Sequence, residues 1–174
     1  MTHFPKSTGR AWLSLGSNIA PEANLRAAIS ALHARYDNVV VSALYRTAAV
    51  GFDGPDFLNA AAGIDSDLDP QALNDWLHAL EDAYGRDRSG PRFGNRPLDI
   101  DIVFYDDLIL EGSGHLQIPR DELRDAFVLK PLVDLAPRLV DPRSGRTLAQ
   151  LWKAHPEHDD PRWAQQGDTS RIPA

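Results

Sequence analysis

The chain has 174 residues, 43% hydrophobic and 25% charged, with 13 prolines, no cysteine and a formal net charge of −7. That length suits a single domain that buries roughly 70% of its extended-chain surface without staples, and the lack of cysteine excludes disulfides and thiolate metal sites. The acidic balance argues against broad binding to nucleic acid or to anionic membranes, which need a basic face, and the apolar runs fall far short of the ~20 residues that span a bilayer.

Nothing near Met1 resembles a cleavable leader. The expectation is one cytoplasmic domain over 1–174, with its core at about 10–152. A loosely ordered polar tail is expected over 153–174, which contains Pro156, Pro161 and Pro173.

Residues 11–15 read as a short buried strand that leaves through Gly16-Ser17-Asn18, a trio suited to a tight exit. Pro21 opens a helix with a stripe of Leu25, Ala28, Ile29, Leu32 and Tyr36, because the missing N–H of proline is harmless at a helix start. Residues 39–45, apolar and β-branched, predict one continuous second strand, followed by a loop over 47–56. Residues 57–64 fit a third strand.

Asp69-Pro70 then supplies a cap and first residue for a second helix. Its stripe is Leu73, Leu77, Leu80 and Tyr84, and Gly85 falls where a left-handed C-terminal residue is wanted. A fourth strand is expected over 98–105, a hairpin over 106–118, a helix over 121–136 broken near Pro131, and a last short turn over 147–152. The order strand, helix, strand, strand, helix, strand predicts an α+β fold: a ferredoxin-like βαββαβ core with helices packed on an antiparallel sheet.

The chemistry gathers in residues 85–105, GRDRSGPRFGNRPLDIDIVFY. Arg86, Arg88, Arg92 and Arg96 fall within eleven residues, spaced by glycine, serine and proline. Planar guanidinium forks grip phosphate oxygens two at a time and stay charged at any working pH. On a strand over 98–105, Asp99 and Asp101 share one face while Ile100 and Ile102 share the other. Two carboxylates roughly 6 to 7 Å apart repel by about 2 to 3 kcal/mol at an effective dielectric of ~20, a cost that a shared cation such as Mg2+ reverses. Taken apart, a solvated turn and an exposed strand face explain each half. Side by side in an acidic chain, the two halves favour a polyphosphate site. A Gly-rich loop ending in Lys-Ser/Thr is absent, so arginine and metal must cradle the phosphates.

These residues sit among others that carry a resemblance. Leu15-Gly16-Ser17-Asn18, Tyr45-Arg46-Thr47, Pro55-Asp56-Phe57-Leu58-Asn59-Ala60, Leu80-Glu81 through Gly85-Arg86-Asp87-Arg88, and Arg96-Pro97-Leu98-Asp99-Ile100-Asp101 occur in that order. Ala126-Phe127-Val128-Leu129, Pro131-Leu132 and Ala136-Pro137 complete the set. Over most of residues 11–140 the chain resembles the 6-hydroxymethyl-7,8-dihydropterin pyrophosphokinase family of folate biosynthesis.

The resemblance implies an ATP-dependent transferase that moves pyrophosphate from ATP to the hydroxymethyl group of a reduced pterin and releases AMP. It implies that Asp99 and Asp101 hold two Mg2+ ions and act with Arg88 and Arg96 in catalysis. ATP would be bound by His78, Glu81, Arg86, Arg88, Arg92, Phe93, Arg96, Ile102 and Arg120. The pterin would lie between Phe57 and Phe127, with Asn59 on its polar edge and Thr47 and Val50 completing the pocket. The loop over 85–97 would be a lid that keeps water from ATP. Without the resemblance, the two phenylalanines read as core, and His78 and Glu81 as solvated helix surface. A monomer is expected, with small-molecule substrates and neither nucleic acid nor membrane as partner.

The chain departs from the family pattern in four places. Ala48 and Ala49 replace the usual prolines after Tyr-x-Thr, which frees two φ angles in the pterin-side loop. Gly94-Asn95-Arg96 stands for Gly-Pro-Arg, with Phe93 for a common tryptophan. His78 stands for a glutamine, a replacement that keeps a donor for a nucleotide and adds a residue type sensitive to pH. Arg120 occupies the place of a histidine, and the segment from there to Phe127 is one residue shorter. Two other readings stay open: a paralogue acting on a different pterin-like alcohol, and a non-catalytic ferredoxin-like ligand-binding module whose Asp pair is surface.

Overall fold

The structure, a computed structural model, describes residues 9–86, 89, 94–111 and 116–165. Its sheet is built around β1 (Gly9–Ser17), with α1 (Pro21–Arg35), β2 (Asp37–Val41), β3 (Tyr45–Thr47), β4 (Phe57–Ser66), α2 (Pro70–Ala83) and β5 (Asp99–Tyr105) following in the chain. The strands lie in the order β2-β4-β1-β5, every pair antiparallel, with β3 continuing the edge beside β4. That is the ferredoxin-like α+β arrangement. A short ribbon of β6 (Leu110–Glu111) and β7 (Gln117–Ile118) leads to a 3-10 turn over Asp121–Arg124. The helices α3 (Ala126–Leu135), α4 (Leu148–Lys153) and α5 (Pro161–Gln165) follow. Among the described residues, no helix is long and apolar enough to cross a membrane.

Alternation along the strands gives the sheet two different faces. Ala11, Leu13, Leu15, Ala60, Ala62, Ile64, Ile100 and Ile102 all point to one core, shared with the stripes Leu25-Ala28-Ile29-Leu32 of α1 and Leu73-Leu77 of α2. Trp12, Ala61, Val103 and Phe104 join the other, Val103 and Phe104 together because β5 bulges there opposite Trp12 and Leu13, and α3 and α4 add Val128, Leu129, Leu132, Leu148 and Trp152. Asp69 caps α2 by accepting the Ala72 N–H at 2.8 Å, and Gly85 follows that helix at φ +86, the left-handed turn its sequence position calls for.

The expected single strand over 39–45 is two strands. Ser42, Ala43 and Leu44 stand opposite Ala60 and Ala61, so one residue bulges. The Ser42 hydroxyl accepts the Ala61 N–H at 2.8 Å, while the Ser42 N–H donates to the Ala61 carbonyl at 2.9 Å. The slip turns the chain over: Val39 and Val41 pack toward α1, whereas Tyr45 joins the opposite core. The bulge therefore delivers Thr47 to the same face as Asn59.

The break expected near Pro131 lies earlier. Pro131 is buried inside α3, where its ring removes one helical hydrogen bond. The interruption falls at Asp125, an extended residue (φ −83, ψ 136) whose carbonyl accepts the N–H groups of Val128 at 3.1 Å and Leu129 at 2.9 Å.

The loosely ordered tail expected over 153–174 also needs correction as far as residue 165. Trp163 of α5 is 3% exposed and packs edge-on against Trp152 at 6.2 Å. Its ring also meets Tyr45 at 5.7 Å, and its Nε1–H donates to Glu157 at 2.8 Å. A polar, proline-bearing segment docks here because one large indole finds an aromatic socket. Residues 166–174 lie outside the described residues. Trp163→Ala is expected to lower the unfolding free energy by about 3 kcal/mol; a chemical-denaturation change under about 0.5 kcal/mol, typical of a surface site, would mean that α5 does not dock.

Candidate active site

The face of the sheet turned from α1 and α2 is left open at the end where β1, β4 and β5 meet, and a cleft of about 590 Å3 occupies it. Its floor is made of small residues. Ser14 lies opposite Asp101 and Gly16 opposite Asp99 in the β1–β5 register. A Cβ on Gly16 would stand 3.2 Å from the Asn59 side-chain oxygen, so glycine is what keeps this floor low.

Asp99 and Asp101 both line the cleft, while Ile100 and Ile102 are buried behind them. Arginines arrive from three different segments. Arg86, just past the glycine that ends α2, reaches Asp99 at 3.2 Å and Glu81 at 3.3 Å. Arg120 reaches Asp101 at 3.5 Å and Glu122 at 3.3 Å. Arg96 lines the same wall.

The charges are not well matched by this arrangement. Burial first, and then the charge of Asp99, push the Asp101 carboxyl up to about 7, although Arg120 and Arg86 pull the other way. Burial and the two aspartates likewise push the Glu81 carboxyl up to about 8, against Arg86. Burial and the neighbouring Arg86 lower the Arg96 guanidinium from its ordinary value. Among the described residues the buried Arg86 Nε–H has no hydrogen-bond acceptor, whereas the Arg120 Nε lies 3.3 Å from Glu122. The carboxylates and guanidinium groups pair with one another, yet burial and mutual repulsion still leave the Glu81 and Asp101 carboxyls raised.

A magnesium ion fits the donor set, since it favours hard oxygen ligands and is commonly held by one or two carboxylates together with substrate phosphates and water. Among the described residues, no group of three or more His, Asp or Glu is arranged to hold a metal. The partners beyond Asp99 and Asp101 would thus come from substrate and solvent.

The other half of the cleft is aromatic and amide. Phe57, Phe127, Asn59, Thr47 and Val50 all line it. Asn59 is 5% exposed and donates from Nδ2 to the Thr47 hydroxyl at 2.6 Å, which aims its amide oxygen away from Thr47. Phe52 stacks edge-on against Phe57 at 6.3 Å. Val50 is 65% exposed, on the loop where alanines replace prolines.

Three of the residues assigned to ATP lie elsewhere. Ile102 is 1% exposed among the side chains under α1 and α2, so its side chain stays out of the cleft. Glu81 is 2% exposed behind Arg86, where it also accepts the Ile100 N–H at 3.3 Å. His78, 3.9 Å from Glu81, stands on that same side and is absent from the lining. His78 and Glu81 do share a helix face, and Glu81 lies at the back of the wall against both Arg86 and Asp99. Arg88, Arg92 and Phe93 lie outside the described residues.

Several further wall residues carry little signal in the sequence. Ser14 could have been found from strand parity with Leu13 and Leu15. Glu157, Arg162 and Trp163 also line the cleft, and their only signal was a tryptophan in a polar tail.

A family model described as 7,8-dihydro-6-hydroxymethylpterin-pyrophosphokinase (HPPK) matches residues 12–137. The 2-amino-4-hydroxy-6-hydroxymethyldihydropteridine pyrophosphokinase of Synechocystis is 40% identical over 154 residues, covering 86% of this chain and 78% of that protein. Its namesake from Pseudomonas aeruginosa is 40% identical over 152 residues, covering 84% and 92%. The crystal structure of wild-type Plasmodium falciparum HPPK-DHPS matches with a TM-score of 0.67 at 14% identity, over 84% of this chain and 44% of that one. The present chain thus spans less than half of that solved chain, and the likeness there is one of fold.

Because a metal competes with the proton on a ligand carboxylate, the raised Asp101 carboxyl sets the direction of a pH effect. Apparent Mg2+ affinity, measured calorimetrically with a non-hydrolysable ATP analogue present, is expected to fall about tenfold per pH unit below about 7 and to level off above it. Affinity that stays flat from pH 8 to pH 5.5 would remove Asp101 from the metal site.

Proposed function

Because the chain belongs to the 7,8-dihydro-6-hydroxymethylpterin-pyrophosphokinase family, we propose that its cleft joins ATP to 6-hydroxymethyl-7,8-dihydropterin. Pyrophosphate passes from the nucleotide to the hydroxymethyl oxygen and AMP is released, a transferase reaction of folate biosynthesis with ATP as co-substrate. The observation that carries the residue assignment is one wall holding Asp99 and Asp101 among Arg86, Arg96 and Arg120, facing Phe57, Phe127 and Asn59 across a single cleft. Action as a monomer belongs to the same proposal.

Asp99 and Asp101 would hold the magnesium, with two ions as the favoured number. When bound, the metal supplies positive charge to the non-bridging phosphate oxygens. Arg86 and Arg120, which now lie against the aspartates, have donors to turn toward the triphosphate once the carboxylates have a cation. Arg96 joins them, and the resemblance adds Arg88, Arg92 and Phe93 on the nucleotide side. Glu81 acts one step removed, by holding Arg86 and the Ile100 N–H at the back of the wall.

Phe57 and Phe127 sandwich the flat pterin, whose polar edge meets Asn59, oriented by Thr47. The hydroxymethyl oxygen then forms its bond to the β-phosphorus as the bond from that phosphorus to the α–β bridging oxygen breaks. AMP leaves with the bridging oxygen, and the hydroxyl proton passes to solvent. No side chain is assigned as general base, because positioning and electrostatic stabilisation dominate phosphoryl transfer.

The direct test is to supply ATP, Mg2+ and the reduced pterin alcohol and to follow nucleotide products by phosphorus NMR. Pterin-dependent AMP is expected; ADP, or AMP formed without the pterin, would defeat this reading. Arg96→Ala is expected to lower kcat/KM by about 10³-fold, as charge-stabilising groups in phosphoryl transfer do. Asp101→Asn is expected to abolish turnover without lowering the melting midpoint at pH 8. The sign follows from the raised Asp101 carboxyl: its ionised form opposes folding above the unfolded-state value, so removing that charge relieves a cost.

A further inference from the structure

Asn18, at the cleft end of β1, is 3% exposed and uses its whole carboxamide. Its Oδ1 accepts the Arg96 N–H at 2.7 Å, and its Nδ2 donates to Asn95 Oδ1 at 3.0 Å and to the Pro55 carbonyl at 3.3 Å. Its own backbone N–H donates to the Arg96 carbonyl at 3.0 Å. The backbone donor at Arg96 fixes which end of the Asn18 amide is oxygen, and the remaining end needs acceptors. Asn95 supplies one that a proline in its place could not.

Three segments meet at this point: the exit of β1, the loop that leads into Phe57 and Asn59, and the stretch that carries Arg96 to Asp99. The approach is close enough that a Cβ on Gly54 would come within 3.0 Å of Asn95 Oδ1 and 2.5 Å of the Phe52 ring.

We propose that the Asn18–Asn95 amide bridge is a positioning device that couples the pterin side of the cleft to Arg96. The two halves of the cleft hold the two reactants, so their relative placement sets the line from the hydroxymethyl oxygen to the β-phosphorus. An error of about 1 Å there costs about 10²-fold in rate. Asn18 and Asn95 touch no reacting atom and act through Arg96 and the 51–56 loop. The proposal rests on the pyrophosphokinase reading of the cleft.

The experiment compares Asn95→Ala, Asn95→Asp, Asn18→Ala and the double alanine variant in steady-state AMP release, with hydrogen exchange at the Arg96 amide read in parallel. Asn95→Ala is expected to lower kcat/KM for the pterin about tenfold with an unchanged melting midpoint, and to speed Arg96 exchange. Asn95→Asp, which keeps the acceptor, is expected to restore the KM for the pterin. In the Asn18→Ala background, Asn95→Ala should add no further loss, because both variants break one bridge. Wild-type kinetics and exchange in Asn95→Ala, or losses that multiply independently, would overturn the coupling. Should Asn18→Ala fail to fold, the Asn95 pair decides alone, since Asn95 is an exposed residue. A wild-type enzyme that forms no AMP while Asn95→Ala still speeds exchange would defeat the functional reading and leave the bridge standing.

Discussion

Two like charges on one face of one strand organise this molecule. Asp99 and Asp101 sit side by side because β5 alternates, and they cannot separate because Ile100 and Ile102 are packed into the core beneath them. Relief has to come from outside the strand. It comes as guanidinium groups, delivered by the end of α2 and by the segment before α3. Those groups are themselves half-buried, and each is shared between an aspartate and a glutamate. On the proposed function, a metal–polyphosphate pair would meet the carboxylates with a cation and the guanidinium groups with an anion.

The rest of the fold can be understood as support for that wall. Small residues on β1 leave room above the sheet, and the bulge at Ser42 turns β3 so that Thr47 can orient Asn59. Glu81, which reads as surface by its residue type although it continues the Leu73–Leu77 row of α2, is sealed beneath Arg86 and pushed toward its neutral form by burial and the two aspartates. Its value to the site is geometric, holding one guanidinium and one backbone N–H in place.

The aromatic half of the cleft is braced by a segment beyond the matched residues 12–137. Trp163 packs against Tyr45 at the start of β3 and against Trp152 of α4, so α5 braces the strand that carries Thr47. Tyr45 is also tied by its hydroxyl to Asp134 of α3. The aromatic half of the cleft is thus buttressed from behind by two helices, while its front loop, bearing the exposed Val50, is left to a few side-chain hydrogen bonds.

The local signals in the sequence were sufficient for the elements and for the central pair. Periodicity placed α1, α2, β1, β4 and β5, strand parity put both aspartates on one face, and clustering singled out Arg86 and Arg96, because each of these depends on neighbours a few residues away. What tertiary structure alone decided is where a side chain goes when two chemistries are open to it. Ser42 bonding to Ala61 splits an apparently uniform strand, Arg86 rather than Glu81 faces the cleft, and Ile102 stays in the core. A tryptophan in a polar tail finds its socket 118 residues back, at Tyr45. These outcomes depend on partners distant in sequence, and burial, not pattern, selects among them.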